Sequence, residues 1–160
     1  MTQSKAYSFG RYLEDFQVGD VYRHSSDKTI TEADNNFFCL MTMNHHPVHL
    51  NKEFAKKSQH KQILVVGTYV FSLVVGMTVA DISGVAIANL EYEKITHDAP
   101  VFIGDTIHAE STILDIKPSK SKPDRGIVYI ETCAYNQYLN KVLTLRRRVL
   151  IPKKCYKTIR

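Results

Sequence analysis

Apolar and polar positions alternate differently along the 160 residues of the chain, and the change of rhythm divides it in two. Residues 63–82 are apolar nearly all round, which in a folded protein describes a helix wrapped on most sides by other structure. The run is too long for one strand, although its β-branched residues and Gly76 lower helix propensity, and Gly67 marks its predicted start. From residue 83 onward the rhythm becomes that of strands separated by turn signals. Residues 85–94, 106–116, 126–138 and 142–151 are predicted strands, the last two a hairpin turned near Asn140-Lys141. Pro100 and Gly104-Asp105 punctuate the first boundary, and 117–125 form a loop.

Ahead of residue 63 the pattern is mixed. Residues 1–18 read as an extended lead-in with Tyr12, Phe16 and Val18 available to pack, and Gly19-Asp20 as a turn into a strand over 21–28. Thr31, followed three residues later by Asp34, resembles a helix N-terminal cap. Phe37, Phe38, Leu40 and Met41 continue the apolar surface of that helix, and Pro47 is expected to end it, since proline lacks an N–H and disfavours helix in the residue before it. Residues 51–62 are polar and lysine-rich, a short helix and then a loop. The predicted architecture is α+β, a curved antiparallel sheet wrapped around one long apolar helix, which gives that helix burial and each alternating strand one apolar face.

Composition narrows the class without naming it. The length suits a single domain. With 44% hydrophobic and 23% charged residues the composition is ordinary for a globular protein. No apolar run approaches the roughly 20 residues that span a bilayer, so no membrane partner is expected. The first ten residues have no apolar core of a signal peptide, and the three cysteines are odd in number and scattered. A cytoplasmic protein without a disulfide framework is the expectation. The formal charge of +5 is concentrated in 117–125 and 146–160 and forms no aromatic-interleaved basic motif of the RNA- or DNA-binding kinds, so nucleic acid is not an expected partner. A phosphate-bearing acyl carrier such as coenzyme A would meet the same charge.

Chemistry concentrates in residues 41–49, which hold His45, His46, His49, Asn44 and Pro47. His49 is expected on irregular backbone, where a polar side chain can face a cavity. The histidines invite a metal reading, but Pro47 interrupts the helix that would present them on one face and no Glu or Cys completes a set, so no metal is expected. His45 and His46 also suit a helix C-terminus as cations. Ser72 and Thr78 on the long helix are expected as buried hydroxyls bonded to backbone. In the last strand Arg147 shares parity with Leu143, Leu145, Val149 and Ile151, so it either sits at the rim of the sheet or reaches something anionic. Arg146 and Arg148 face the other way, toward solvent or a phosphate or carboxylate.

The segment Asn44-His-His-Pro-Val-His49 resembles the Asp-x-Asn-Pro-x-His signature of the MaoC-like (R)-specific enoyl-CoA hydratases, with Pro47 and His49 in register. Val65-Val-Gly67 resembles that family's helix-initiating glycine segment, and Pro100-Val-Phe-Ile-Gly-Asp105 its Pro-Val-x-x-Gly-Asp strand. The stretch Ser121-Lys-Pro-Asp-Arg-Gly-Ile-Val128, with Asn136-Gln137 after it, is similar to the branch that includes mesaconyl-CoA hydratases. The resemblance covers residues 8–152 and implies a single hot-dog fold over 1–160 with a short basic tail. Two positions depart from the signature: Asn44 replaces its aspartate and His46 its asparagine.

The resemblance implies hydration of a 2-enoyl-CoA to a 3-hydroxyacyl-CoA, and the reverse, with no cofactor beyond the coenzyme A of the substrate. Such a reaction needs a base for water, a proton for the α-carbon and donors on the thioester oxygen. His49 is the expected base or shared acid and base. Asn44, an amide that transfers no proton near neutrality, is expected to orient the water. Gly67 at a helix start is expected to offer its N–H to the thioester oxygen, with Val66, Thr68, Arg146 and Arg147 as substrate-binding positions. A short, branched or dicarboxylic acyl group fits the branch. A hot-dog thioesterase and a non-catalytic acyl-CoA-binding module are the alternatives. One hot-dog unit leaves a sheet edge exposed, which predicts a homodimer or higher homo-oligomer.

Overall fold

The computed structural model describes residues 9–155. The chain order is a 3₁₀ turn (Leu13–Asp15), β1 (Val21–Arg23), β2 (Lys28–Thr29), α1 (Glu32–Thr42), α2 (Pro47–Leu50), α3 (Lys52–Lys57), α4 (Gly67–Met77), a π turn (Val79–Ser83), β3 (Ala88–His97), β4 (Thr106–Pro118), β5 (Arg125–Tyr135) and β6 (Lys141–Pro152). The sheet is antiparallel in the order β1-β4-β5-β6-β3, with β2 pairing β4 separately. The expected α+β architecture is present. No helix among the described residues is long and apolar enough to cross a membrane.

Strands β4 and β5 alternate buried and half-buried positions, so one face packs inward and the other meets solvent. Against the inward face lies α4, which contributes Val70, Val74 and Met77 to a core with Ile107, Leu143 and Leu145. A second cluster joins Leu13, Phe16 and Ile82 to Ile113, Val128, Val149 and Ile151. Each fully buried Val or Ile in these clusters contributes about 1.5–3 kcal/mol. Gly126 exists because the lead-in crosses here: a Cβ on it would fall 2.5 Å from Leu13 Cδ2. Phe16 packs as expected, whereas Val18 is 63% exposed.

Several expectations need correction. The apolar run over 63–82 is not one helix. Residues ahead of Gly67 are extended, with Leu64 bridging Phe102, and after Met77 the backbone passes into the π turn. Nor is α4 wrapped all round, because Thr68, Ser72 and Gly76 form an exposed stripe. Ser72 is therefore exposed, while Thr78 is buried and donates to the Val75 carbonyl at 2.6 Å as expected. The strand expected over 21–28 is split in two, because His24 turns inward. There its Nδ1 lies 2.9 Å from Asp81 and its Nε2 2.8 Å from the Ser111 hydroxyl.

The first helix begins as its sequence predicts. Thr31 and Asp34 cap each other, the Asp34 N–H donating to Thr31 Oγ1 at 3.2 Å and the Thr31 N–H donating to Asp34 Oδ2 at 2.9 Å. It ends earlier than Pro47 requires. Met43 adopts a left-handed conformation (φ 57°), and the Asn44 N–H donates to the Cys39 carbonyl at 3.0 Å, a closure that terminates α1 at Thr42. Pro47 instead starts α2 at a position where its missing N–H costs nothing. His49 thus lies on a helical turn and not on irregular backbone. The buried side of α1 is Asn35 and Cys39, whereas Phe37, Leu40 and Met41 are exposed.

Candidate active site

The short helix α2 holds His49 by both its backbone and its ring. His49 Nδ1 is 2.7 Å from the Leu64 carbonyl oxygen, which can only accept, so Nδ1 carries the hydrogen. The lone pair of a neutral imidazole is then on Nε2, the orientation a general base requires. The backbone is fixed by Asn35, a fully buried side chain. Its Nδ2 donates to the His49 carbonyl at 2.9 Å, while its Oδ1 accepts from the Val66 N–H at 3.0 Å. One amide therefore ties α2 to the residue that precedes α4. The Leu64 N–H, donating to the Val48 carbonyl at 3.3 Å, adds a third tie.

At the start of α4 the first N–H groups have no partner within the helix. Tyr69 and Val70 donate back to the Val66 carbonyl, at 3.0 and 3.2 Å. The N–H groups of Gly67 and Thr68 have no acceptor among the described residues. These two donors carry the positive end of the helix dipole. A cleft of about 450 Å³ opens between α2, this helix end and the end of β3, lined by His49, Gly67, Val70, His97, Asp98 and Pro100 among others. Gly67 is tightly approached. A Cβ at this position would lie 2.8 Å from His97 Cε1 and 2.9 Å from its Nε2.

His49 and Gly67, expected on opposite sides of one site, are brought into the same cleft. Val66 is 2% exposed and its N–H is taken by Asn35, so it caps the helix. Thr68 is exposed on the first turn of α4. Asn44 is half-buried in the turn before α2 and is not part of the cleft wall; its Oδ1 is 3.5 Å from the His46 N–H. Arg146 and Arg147 also lie off that wall. Arg146 donates to Glu131 at 2.7 Å, and that carboxylate raises its pKa. Arg147 is 1% exposed, donates to Thr78 Oγ1 at 2.7 Å, and is pushed down in pKa by burial.

His46 and the Gly-Asp pair are occupied locally. His46 caps α2, its Nδ1 accepting from the Val48 N–H at 3.2 Å. Among the described residues no three His, Cys, Asp or Glu side chains converge as metal ligands. Gly104 turns with φ 94°, which lets Asp105 accept from the Phe102 N–H at 2.8 Å and from Gln137 Nε2 at 2.9 Å. That motif is structural, since it orders the strand entering β4. Sequence reasoning missed Asn35 and His97. The first sits at helical spacing from Cys39 on what reads as a polar face, and the second stands alone at a strand end; neither carries a motif.

A model of the MaoC like domain matches residues 15–134. A mesaconyl-CoA hydratase from Cereibacter sphaeroides is 33% identical over 145 residues, covering 91% of this chain and 42% of that protein. The chain thus spans less than half the length of this relative. A MaoC-domain protein from Chloroflexus aurantiacus superposes with a TM-score of 0.89 at 30% identity over 94% of this chain and 43% of the other. The fold alone is shared with a Mycobacterium tuberculosis protein with a double hotdog fold, at TM-score 0.82 and 17% identity over 91% of this chain and 45% of that one. The family model covers most of the chain and the hot-dog fold is shared with these structures, so the chain belongs to the MaoC-like domain family.

Proposed function

We propose that this domain catalyses the reversible hydration of a 2-enoyl-CoA to a 3-hydroxyacyl-CoA. The observation that carries this reading is the shared cleft, whose wall holds both His49, with Nδ1 bound to the Leu64 carbonyl so that Nε2 is free, and Gly67, whose N–H has no acceptor among the described residues. Water adds across a double bond without change of redox state, so the chemistry requires proton transfer and charge stabilisation only. His49 Nε2 takes a proton as the water oxygen bonds the β-carbon. The negative charge that moves to the thioester oxygen is collected by the Gly67 and Thr68 N–H groups. Asn44 lies off the cleft wall, so no step of this reaction is assigned to it.

A short, branched or dicarboxylic acyl group is the proposed substrate, on the strength of the similarity to a mesaconyl-CoA hydratase. The proposed partner is a second copy of the chain. Strand β3 is the edge of the sheet and is exposed on nearly every residue, Leu90 and Ile95 included. Edge pairing by a two-fold axis would cover it. Purified protein is expected to consume the enoyl absorbance of short 2-enoyl-CoA substrates, to lose that activity on His49→Ala, and to sediment as a dimer at micromolar concentration. Release of free thiol without hydration would make it a thioesterase. Tight coenzyme A binding with no turnover would make it a binding module, and a monomer would overturn the pairing.

A further inference from the structure

Hydration handles two protons at two places. One leaves water as its oxygen bonds the β-carbon, and one arrives at the α-carbon when the enolate collapses. His49 offers one nitrogen for this work, its other being held by the Leu64 carbonyl at 2.7 Å. The cleft holds three further ionisable side chains, His60, His97 and Asp98. Two are engaged. Asp98 accepts from the Thr144 hydroxyl at 2.7 Å. His60 Nε2 lies 2.9 Å from Gln59 Nε2, and its ring packs on Phe102 with centroids 5.6 Å apart. His97 differs from both, for its ring nitrogens have no hydrogen-bond partner among the described residues.

Its position is built as well as free. The ring lies over the first residue of α4, where a Cβ would fall 2.8 to 3.3 Å from Cε1, Nε2 and Nδ1. An imidazole there stands beside Gly67, whose N–H is proposed to collect the enolate charge, on a residue exposed enough to exchange protons with water. β6 places Leu143 opposite it, and the only charged neighbour in sequence is Asp98. Resting on the hydratase reading above, we infer that His97 is a second catalytic residue, the acid that protonates the α-carbon in hydration and the base that removes that proton in dehydration.

The steps balance with water alone. The water oxygen bonds the β-carbon and its proton passes to His49 Nε2, while the π electrons move onto the thioester oxygen. The imidazolium of His97 then gives a ring N–H proton to the α-carbon and the carbonyl re-forms. His49 ends protonated and His97 neutral, and exchange with solvent restores both, so one water is added. In the hydration direction activity thus falls at low pH as His49 is protonated and at high pH as His97 is deprotonated.

The test compares wild type with His97→Gln and His97→Phe on an enoyl-CoA that the wild type hydrates, following kcat, KM and their pH dependence. Thermal unfolding of the same samples confirms that the variants are folded. Both variants are expected to lose about 10²- to 10⁴-fold in kcat, with KM little changed. His97→Gln is expected to lose the alkaline limb of the profile while keeping the acidic one. In His97→Ala, added imidazole is expected to restore part of the rate. Variants within about threefold of wild-type kcat with both limbs intact would overturn the proposal. So would a loss confined to KM. A wild type that hydrates no enoyl-CoA would sink the function itself, whereas active variants beside an active wild type would sink the role of His97 alone.

Discussion

Replacing Asn35 by Ala removes a single amide from the interior, yet it severs the tie between the two halves of the site. The side chain is fully buried, and its two bonds measure 2.9 Å to the His49 carbonyl and 3.0 Å to the Val66 N–H. Both partners are backbone groups left without a replacement, the Val66 N–H buried and the His49 carbonyl part-buried. An orphaned buried group costs about 1–3 kcal/mol, so the variant is expected to lose about 2–6 kcal/mol. At roughly 2–4 °C per kcal/mol for a chain of this size, the melting temperature should fall by about 4–24 °C. Urea unfolding measures the first quantity and calorimetry the second. The kinetic effect is separable. At a temperature where the variant is fully folded, kcat is expected to drop at least about tenfold, because an error of about 1 Å in a reacting group costs up to 10²-fold. Asn35→Asp keeps the acceptor for Val66 but loses the donor for His49 when ionised. Its deficit should therefore shrink as pH falls and the carboxyl gains a proton. An Asn35→Ala variant within about 0.5 kcal/mol of wild type and with full kcat would refute the clamp.

Gly67→Ala is expected to displace the His97 ring, since the added Cβ would lie 2.8 Å from Cε1, costing about 1–3 kcal/mol and most of the activity. In a His97→Ala background the stability cost should largely vanish, which a double-mutant cycle in urea would detect. Asp34 has its carboxyl held down to about 2, chiefly by Lys28 and then by Thr31. Its folded value lies below the unfolded value of about 3.9, so its contribution is present above that pH and lost as pH falls through about 2. Asp34→Asn should cost about 1 kcal/mol at neutral pH, with the gap from wild type closing between about pH 4 and pH 2 in unfolding titrations. Arg147 is buried with Thr78 as its near acceptor, while its Nε has no hydrogen-bond partner among the described residues. Arg147→Met is expected to change stability by less than about 1 kcal/mol or to raise it, whereas Arg147→Ala leaves a cavity costing about 2–4 kcal/mol. A loss above about 3 kcal/mol in the Met variant would mean that the guanidinium holds a buried anion.

The elements whose periodicity and caps agree were legible. Residues Thr31 and Asp34 announced α1, Gly67 announced α4, and the alternation of β4 to β6 announced the inner face of the sheet. Failures arose where a local rule competed with a nearer one. Pro47 is a sound helix breaker, but the left-handed turn at Met43 had already ended the helix, leaving Pro47 free to start the next. Motif register singled out His49 and Gly67, which the structure brings into one cleft. Asn35 and His97 were not legible, because their roles come from tertiary contact. An asparagine on a helix reads as solvated, and a histidine at a strand end reads as nothing until Gly67 is found beneath it.

The least legible feature was the direction in which α1 faces, and its physical reason bears on assembly. Phe37, Leu40 and Met41 form the apolar surface that the sequence pattern would bury, yet they are 61–63% exposed in the single chain. The Thr68, Ser72 and Gly76 stripe of α4 and both faces of β3 are exposed as well. A long edge strand with unpaired backbone groups is a template for another strand. The mesaconyl-CoA hydratase relative, of which this chain covers 42%, has more than a further domain's length of chain. The proposed pairing of two copies would supply such a second unit at the β3 edge. Charged substitutions at Leu90 and Ile95 should therefore dissociate the dimer without disturbing the hydrogen bond between His49 and Leu64, a separation that sedimentation and His49 ring-nitrogen NMR would measure together.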